Sequence, residues 1–355
     1  MKIAVVPAAE LDAGLTAAWE RIVSDAPGLA SPFFRPEFIR ALATVRDVRV
    51  AVLEDGRQSR GFFPFEQRWK LGRPAGDPLS DFHGVIAPPG LDYGAAELVR
   101  GCGLASWRFN HLLAPGPSFG QWTQNAVPSP YLDISQGFEA YQTAKTAEGS
   151  HEVRRVLQSA RTAQRQAGPL RFVYHTADRA VFESLIQWKS EQYRRTGADN
   201  AFDAPWVVPL LRRIHETQHD DFAGILSALY FGDRLAAVHL GMRSRHVFHY
   251  WFPAYHPTFA SHSPGRICLL ELVRAAACRG LRRFDLGKGT EDYKLRLASA
   301  ADAVFEGTVL CGRGARALDW GRRAGQSLKR LPWVGAAARW AARVSRPLRR
   351  RLLQA

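Results

Sequence analysis

A tight turn, followed by an apolar helix and a strand that carries a carboxylate, constrains this sequence more than any other feature. The turn reads Ser263-Pro264-Gly265-Arg266. Proline suits a first helical turn because the N–H that it lacks would have no partner there, and glycine lets backbone N–H groups approach a phosphate closely. The turn therefore predicts an anion site at the start of a helix.

The residues after this turn predict a helix and then a short strand. The run Ile267–Cys278 is apolar at helical spacing, and Gly280 follows it as a stop signal. Phe284 and Leu286 alternate with Asp285, so a strand here would bury the two apolar side chains and present the carboxylate on its other face. The predicted buried face of the helix consists of Ile267, Leu270, Val273 and Ala277.

A second helix carrying Tyr293 is predicted after this strand. The order is then strand, anion-binding turn, helix, acidic strand and tyrosine-bearing helix. This is the order that a coenzyme A-dependent acyltransferase needs.

Composition is that of a folded protein. The chain has 355 residues, of which 46% are hydrophobic, so it can bury one large core or two ordinary ones. Its four cysteines are scattered without metal-ligand spacing, which predicts neither a zinc site nor a disulfide framework, and no metal is expected. The N-terminus lacks the pattern of a secretion signal, and no stretch reaches membrane-spanning length without charge, so we expect a cytoplasmic protein.

The net charge of +15 is concentrated at the C-terminus. Residues 313–355 hold twelve Arg and Lys residues against the single acid Asp319, which leaves the rest of the chain nearly balanced. Tryptophans and leucines are interleaved with these cations, and Pro332 and Pro347 divide the segment into short amphipathic pieces. This composition is typical of a helix lying on an anionic membrane surface. Capture of an anionic ligand such as a cyclic dinucleotide, or a basic helix packed on the body, are the alternatives.

Two hairpin signals lie about half the chain apart. Residues 48–53 and 61–69 predict strands around the turn 54–57, and residues 225–231, 235–242 and 246–252 predict three strands joined by tight turns. This recurrence suggests two related α/β halves. Between them, residues 151–168 predict a basic amphipathic helix with Arg154, Arg155 and Arg161 on its polar side.

Four features in this order form a familiar pattern. They are the arginine-rich helix, the hairpin, the Ser263-Pro264-Gly265 turn, and the Phe284-Asp285-Leu286-Gly287 strand followed by Tyr293-Lys294. From Glu152 to Thr308 the sequence resembles CelD-type acetyltransferases of bacterial polysaccharide synthesis, which are related to GNAT and Fem-type transferases. The resemblance implies an α/β (α+β) fold with tandem GNAT-like domains. Each would be a mixed, mostly antiparallel sheet flanked by helices, followed here by a basic helical tail.

The resemblance also implies a division of the chain and a donor. We expect an N-terminal GNAT-like domain at 1–150, a C-terminal acetyltransferase domain at 151–312 and a basic amphipathic tail at 313–355. The second copy would hold acetyl-CoA, and the first would help to form the acceptor groove. Ser263, Gly265 and Arg266 would bind the diphosphate, with Tyr250 and Lys288 as further coenzyme contacts.

Transfer by direct attack of an amine or hydroxyl on a thioester requires a base and an acid. Asp285 is the first choice for the base, with His239, and then His249, as alternatives. Tyr293 could protonate the departing thiolate. Asp285→Asn is then expected to abolish transfer with little change in melting temperature.

The acceptor side is the least constrained. Trp251 and Tyr255 suit a sugar-stacking wall, and Lys294 could bind the acceptor, although clustered aromatics are also common as packing.

The resemblance implies N-acetylation of an amino sugar of an exopolysaccharide or its lipid-linked precursor at the inner membrane surface. The alternatives are aminoacyl transfer from tRNA, as in Fem-type proteins, and a non-catalytic regulator that binds a cyclic dinucleotide. The nearly balanced body makes nucleic acid an unlikely partner.

Overall fold

The computed structural model describes residues 1–56, 58–113 and 116–312. The basic tail predicted at 313–355 lies outside the described residues. One long mixed sheet runs through the described chain, and helices cover both of its faces. Most of its strand pairs are antiparallel, as predicted.

The first half contains six strands and three α-helices among its described residues. They are β1 (Lys2–Pro7), α1 (Ala13–Asp25), α2 (Pro36–Ala43), β2 (Arg49–Asp55), β3 (Gln58–Arg68), β4 (Leu71–Pro74), α3 (Ala95–Gly101), β5 (Ser106–Leu113) and β6 (Thr123–Asp133).

The second half begins with two helices and continues through seven strands in the described chain. Its elements are α4 (Phe138–Ala147), α5 (Glu152–Ala167), β7 (Leu170–Val173), α6 (Arg179–Thr196), α7 (Val207–Glu216), β8 (Gln218–His219), β9 (Phe222–Phe231), β10 (Arg234–Ser244), β11 (Val247–Tyr255), α8 (Pro264–Cys278), β12 (Arg283–Asp285), α9 (Asp292–Leu297) and β13 (Ala300–Leu310). The predicted strands, the basic helix and the helix–strand–helix order after the turn are confirmed.

The same series of strand pairings occurs twice. In the first half β1, β2, β3 and β4 pair antiparallel in turn, and β4 then pairs parallel with β5. In the second half β7, β9, β10 and β11 pair antiparallel, and β11 then pairs parallel with β12. The two predicted hairpins, β2–β3 and β9–β10, are therefore equivalent parts of a tandem repeat.

The halves are joined by a reciprocal exchange of strands. Strand β6, from the first half, pairs with β12 of the second, while β13, from the second half, pairs with β5 of the first. β6 and β13 also pair with each other along most of their length. This exchange makes one continuous sheet, and the predicted division at residue 150 remains a prediction.

Helix α8 is buried more completely than its sequence period predicts. Ile267, Leu270 and Val273 are buried as expected, but so are Leu269 and Leu272. The additional burial arises because α4 and α5 cover the side of α8 that does not face the sheet. The N-terminus of α8 is held in place between the sheet and this second layer.

Strands β11 and β12 diverge immediately after a short paired segment. Their parallel register covers Val247–His249 against Arg283–Asp285, while β11 continues to Tyr255. The equivalent pair in the first half, β4 and β5, is paired over Leu71–Gly72 against Ser106–Trp107. We call the divergence of β11 and β12 the split.

Candidate active site

A cavity of about 400 Å³ lies along β11, beyond the segment of that strand that pairs with β12. Its walls come from β11, the start of α8, the N-terminal part of α9 and helix α6. The lining residues are Gln192, Tyr250, Pro253, Tyr255, Ala260, Ser263, Pro264, Gly265, Arg266, Leu269 and Tyr293. The structure thus brings together five of the residues predicted from sequence to bind coenzyme or acceptor, and Tyr293 with them.

The turn at the start of α8 has the backbone of an anion site. Ser263 has a left-handed conformation, with φ 55°, and its carbonyl accepts the N–H groups of Arg266 and Ile267 at 3.1 and 3.2 Å. Pro264 has no N–H and those of Arg266 and Ile267 are donated to Ser263, so the Gly265 N–H in the first turn remains for an anion. A Cβ on Gly265 would stand 3.6 Å from Tyr255 Cδ1, on the cavity wall. The absence of a side chain here keeps the cavity open at the start of α8.

Three arginines converge on one buried carboxylate beside this turn. Glu152, at the first position of α5, is 2% exposed. It accepts a hydrogen bond of 3.0 Å from Arg266 Nη1, and the guanidinium groups of Arg155 and Arg296 lie 3.8 and 3.9 Å away. Arg296 also pairs with Asp292 at 3.0 Å, and of the three arginines it is Arg266 that lines the cavity, where its guanidinium suits a phosphate group.

Two tyrosines line the cavity with protonated phenols. Burial, with the charge of Glu291, raises the pKa of Tyr293 to about 12. Burial also raises the pKa of Tyr250 well above its usual value. Both hydroxyls are therefore proton donors at neutral pH.

The strand β11 contains a bulge at the split. Leu240 pairs with Phe252 and Met242 with His249, so Tyr250 and Trp251 both stand opposite Gly241. A Cβ on Gly241 would lie 2.4 Å from the His249 carbonyl oxygen, so only glycine fits there.

His239 supports this bulge from within the core. Its Nε2 accepts the Trp251 N–H at 3.1 Å, and its ring stacks on Tyr250 with centroids 4.2 Å apart. Burial lowers the pKa of His239 well below its usual value, so the imidazole is neutral. Its predicted catalytic role stays a prediction. Because the Trp251 N–H is donated to His239, it is not free to bind the carbonyl oxygen of an acyl thioester.

On the other face of the split, His249 contacts a carboxylate from the first half. Its Nε2 lies 2.9 Å from Asp81 Oδ2, and its Nδ1 lies 4.0 Å from Asp285 Oδ2. The imidazole is fully buried between the rings of Phe33 and Phe82, whereas the Asp81 side chain is 26% exposed. Asp81 is thus the accessible end of a buried Asp–His pair.

The pKa values of this pair move in opposite directions. Burial alone would lower the pKa of His249, but hydrogen bonds and charges from Asp285 and Asp81 outweigh it and raise that pKa. Burial would raise the pKa of Asp81, but its hydrogen bond and charge interaction with His249, helped by His111 and Lys294, lower it. The pair therefore exists as carboxylate and imidazolium below the raised pKa of His249 and can take up one proton above it.

Asp285 lies next to this pair but is enclosed. Its side chain projects away from Phe284 and Leu286, as predicted, yet the residue is only 1% exposed because the first half covers that face. Its Oδ1 accepts a hydrogen bond of 2.6 Å from Arg283 Nε. In this environment Asp285 can orient His249, while contact with an acceptor would have to come through Asp81.

The predicted lysines bind protein groups. Lys288 donates to Glu306 and, at 3.1 Å, to the carbonyl of Asn110. Lys294 donates to the carbonyl of Lys288 at 3.2 Å and pairs with Glu291. Neither lines the cavity, so their predicted coenzyme and acceptor contacts stay predictions.

Of the two predicted stacking residues, Tyr255 lines the cavity. Trp251 donates its indole N–H to the Leu79 carbonyl at 3.0 Å and packs edge-on against Phe33. Its ring thus connects the two halves, and its stacking role stays a prediction.

Sequence reasoning missed Asp81, Glu152 and Lys189. Lys189, on α6, donates to the Pro253 carbonyl at 3.1 Å, and burial together with the charge of Lys294 lowers its pKa to about 8. Glu152 could have been found as an acid at the start of a helix whose other charges are basic. Asp81 carries no comparable sequence signal, since it lies in irregular chain between β4 and α3.

The described residues 1–56, 58–113 and 116–312 lack two kinds of feature. They hold no group of three or more His, Cys, Asp or Glu side chains suited to a metal ion. Within the same part of the chain, none of the helices combines the length and apolar character needed to span a bilayer.

Comparison with protein families agrees with this geometry. Residues 151–295, which include the split, the α8 turn and Tyr293, match the family model described as an acetyltransferase (GNAT) domain. This match supports an acyltransferase. Domains of this family use acyl-CoA as donor, and the cavity is lined by the start of α8 and two phenols. A comparison with curated proteins finds no match.

Solved structures share the fold over most of the chain. The C-terminal domain of a putative lysylphosphatidylglycerol synthetase from Agrobacterium fabrum is 12% identical, with a TM-score of 0.53, over 85% of this chain and 94% of that one. FemX is 9% identical, with a TM-score of 0.54, over 87% and 96%. A conserved protein of unknown function from Bacteroides thetaiotaomicron is 10% identical, with a TM-score of 0.51, over 83% and 97%. At such identities the likeness concerns the fold alone.

Proposed function

We propose that the protein transfers an acetyl group from acetyl-CoA to the amine of an amino sugar, in an exopolysaccharide or its lipid-linked precursor. The observation that carries the N-acyl transfer is the Asp81–His249 pair on one side of the split and the anion-binding cavity on the other. The sugar acceptor and its polysaccharide setting depend on the resemblance to CelD-type enzymes.

In this proposal the coenzyme diphosphate binds at the start of α8. The N–H of Gly265 and the guanidinium of Arg266, which Glu152 holds, would neutralise its charge. The pantetheine arm would then follow the unpaired edge of β11 towards its last residue paired with β12, His249. This path leads the thioester to the apex of the split, where the two strands separate.

The acceptor amine would approach from the side of the first half. Its ammonium would contact the accessible oxygen of Asp81, and the pair of Asp81 and neutral His249 would take up its proton. Asp285, 4.0 Å from Nδ1, would stabilise the positive charge that the imidazole gains. The pair would end the step as carboxylate and imidazolium.

The freed amine lone pair would then attack the thioester carbonyl carbon. The C–N bond forms and the C–S bond breaks, and the electron pair leaves with the coenzyme sulfur. The phenol of Tyr293, protonated at neutral pH, would donate its proton to the thiolate. The acylated nitrogen would release its second proton to solvent, and Tyr293 would regain a proton from solvent.

A second candidate is aminoacyl transfer from charged tRNA. The observation in its favour is a basic groove of about 810 Å³ along α4 and α5, lined by His151, Arg154, Arg155 and Arg161 among others. The same groove would suit the phosphates of a cyclic dinucleotide, which is the regulatory alternative.

Calorimetry with acetyl-CoA, charged tRNA and a cyclic dinucleotide separates these functions. We expect binding of acetyl-CoA and, in a transfer assay with a panel of amino sugars, acetylated product. Asp81→Asn should bind acetyl-CoA normally but form product about a hundredfold or more slowly. Binding of charged tRNA with no binding of acetyl-CoA would overturn the proposal in favour of the second candidate.

We also propose peripheral attachment to the inner membrane face through the segment 313–355, because of its composition of interleaved cations, tryptophans and leucines. Co-sedimentation with anionic liposomes tests it. Binding that is unchanged after deletion of residues 312–355 would contradict it.

A further inference from the structure

The tip of the β3–β4 hairpin exposes two large apolar side chains. Trp69 is 78% exposed and Leu71 is 46% exposed, whereas most large apolar side chains of the described residues are buried or half-buried. The tip consists of Arg68, Trp69, Lys70 and Leu71, all of which are exposed, and it contains no acid. We call these four residues the hairpin tip.

Trp69 occupies a backbone position that favours glycine. Arg68 pairs with Leu71, so the turn has two residues, and the first of them, Trp69, has φ 56°. Two-residue hairpin turns with positive φ at the first position strongly prefer glycine there, and a bulky residue is strained. The fold therefore keeps an exposed indole at a position where glycine would be more stable, which is a reason to look for a ligand of the indole.

The charges of the hairpin tip are available for a partner. The Arg68 guanidinium lies over the Trp69 ring at 5.0 Å, and Lys70 is exposed beside it. The next cation along, Arg73, differs, since it pairs with the buried carboxylate of Glu66 at 2.9 Å. The hairpin tip thus combines two cations with two apolar side chains on one small surface.

The C-terminal segment begins beside the hairpin tip. The Ala105 N–H donates to the Lys70 carbonyl at 2.8 Å, and the Cys311 N–H donates to the Ala105 carbonyl at 2.8 Å. The described chain ends one residue later, at Gly312. The chain that follows carries twelve basic residues against one acid, so two cationic, tryptophan-bearing features start from the same end of the molecule.

We propose that the hairpin tip docks on an anionic lipid bilayer. Tryptophan sits at the boundary between headgroups and acyl chains, leucine enters the apolar layer, and arginine and lysine extend to the lipid phosphates. A nucleic acid would explain the cations and the stacking surface of Trp69, but it gives no use for an exposed leucine at the same tip. The bilayer accounts for all four side chains.

The docking surface is separate from the active site. The two ends of β13 lie near different sites. Its last residue, Leu310, pairs with Ser106, which also pairs with Leu71 of the hairpin tip. Its first residue, Ala300, pairs with Tyr131, which also pairs with Asp285 beside the active site. Eleven residues lie from Ala300 to Leu310. At about 3.3 Å per residue they span about 33 Å, so changes at the tip should not alter transfer to a water-soluble amine.

The test measures binding of full-length variants to vesicles of phosphatidylcholine with and without phosphatidylglycerol. Trp69→Gly removes the indole and relieves the strained φ, so it should weaken binding to anionic vesicles about tenfold while the melting temperature stays equal or rises. Arg68→Gln combined with Lys70→Gln should weaken binding about tenfold and reduce its salt dependence. Leu295→Ser, at an exposed leucine on α9, and Arg179→Gln, at an exposed arginine on α6, are the matched controls and should bind like the wild type.

Equal binding of Trp69→Gly and wild type, within about twofold, would overturn the proposal, since the C-terminal segment would then supply all of the affinity. A hairpin-tip variant that loses affinity for RNA but keeps its affinity for anionic vesicles would also overturn the proposal. Acetyl transfer to a soluble amino sugar, measured on the same proteins, keeps the two proposals apart. If neither the wild type nor any variant transfers acetyl groups, the proposed function is contradicted and the docking result stays valid.

Discussion

Asp81 and His249 form a hydrogen bond of 2.9 Å between residues 168 positions apart in the chain, one in each half of the tandem repeat. The bond joins an accessible carboxylate to a buried imidazole at the apex of the β11–β12 split. In the proposed function the tandem arrangement has a chemical use, because the second half would supply the donor cavity and the first the accessible end of the proton acceptor.

This pair should control the pH dependence of catalysis. Because Asp285 and Asp81 raise the pKa of His249, the proton-accepting form exists only above that pKa, and kcat/KM should rise with pH through a value above about 6.5. In Asp81→Asn and His249→Gln, kcat should fall by about 10² or more, and the double variant should be no worse than either single one. Losses that multiply in the double variant would contradict a paired role.

The same pKa shifts affect stability in opposite pH ranges. His249 has a raised pKa, so its contribution is fully present below about 6.5 and is lost as the pH rises through the raised value. Asp81 has a lowered pKa, so its contribution is present above about 3.9 and is lost as the pH falls through the lowered value. Thermal melts of the wild type and the two variants across pH would separate this effect from catalysis.

Arg266 should determine affinity for the coenzyme. Arg266→Ala removes a guanidinium that lines the cavity and should raise the Kd for acetyl-CoA about tenfold, with a smaller dependence on salt. Arg155→Ala is the control, because Arg155 also contacts Glu152, at 3.8 Å, but does not line the cavity. Calorimetry of both variants decides the point, and equal losses would place the phosphates in the α5 groove instead.

Gly265→Ala should separate stability from binding. Alanine is favoured over glycine within a helix by about 0.5–1 kcal/mol, and its Cβ would make only an ordinary contact, 3.6 Å from Tyr255 Cδ1. The melting temperature should therefore hold or rise while the affinity for acetyl-CoA falls, because the methyl group would stand at the anion-binding end of the cavity. Gly28→Ala, where a Cβ meets nothing within 4 Å, is the matched control and should bind normally. Unchanged affinity in Gly265→Ala would remove the turn from the binding site.

Much of this arrangement could be predicted from local sequence. The proline and glycine of the α8 turn, the alternation around Asp285 and the two hairpins are short-range patterns, and the helices and strands follow them. The strand exchange between β6 and β13 could not be predicted, since it depends on pairing between residues far apart in sequence. Burial of Asp285 was missed for the same reason, because the covering layer comes from the other half.

Tyr293→Phe should slow the chemical step without affecting the fold. The phenol lines the cavity and its pKa is raised to about 12, so it remains a donor throughout the usual assay range. Removing the hydroxyl should lower kcat by about 10² with little change in KM, and no alkaline loss of activity from this group should be seen below a pH of about 10. Tyr255→Phe, on the same cavity wall, should retain activity. The reverse pattern would make Tyr255 the acid.

Asp285→Asn should now be expected to reduce both stability and activity, whereas sequence alone suggested an effect on activity only. Asp285 is 1% exposed and is bonded to Arg283, so replacing it leaves a largely buried guanidinium with a weaker partner and should cost about 1–3 kcal/mol. Asp302→Asn is the control, because Asp302 bonds the same guanidinium at 2.5 Å but is 38% exposed, and its loss should cost less than about 1 kcal/mol. Denaturant unfolding measures both values.

If Asp285 positions His249, the folded fraction of Asp285→Asn should also show a pH profile for kcat/KM shifted to lower pH, which Asp302→Asn should not. A stability loss with an unshifted profile would make Asp285 a purely structural residue.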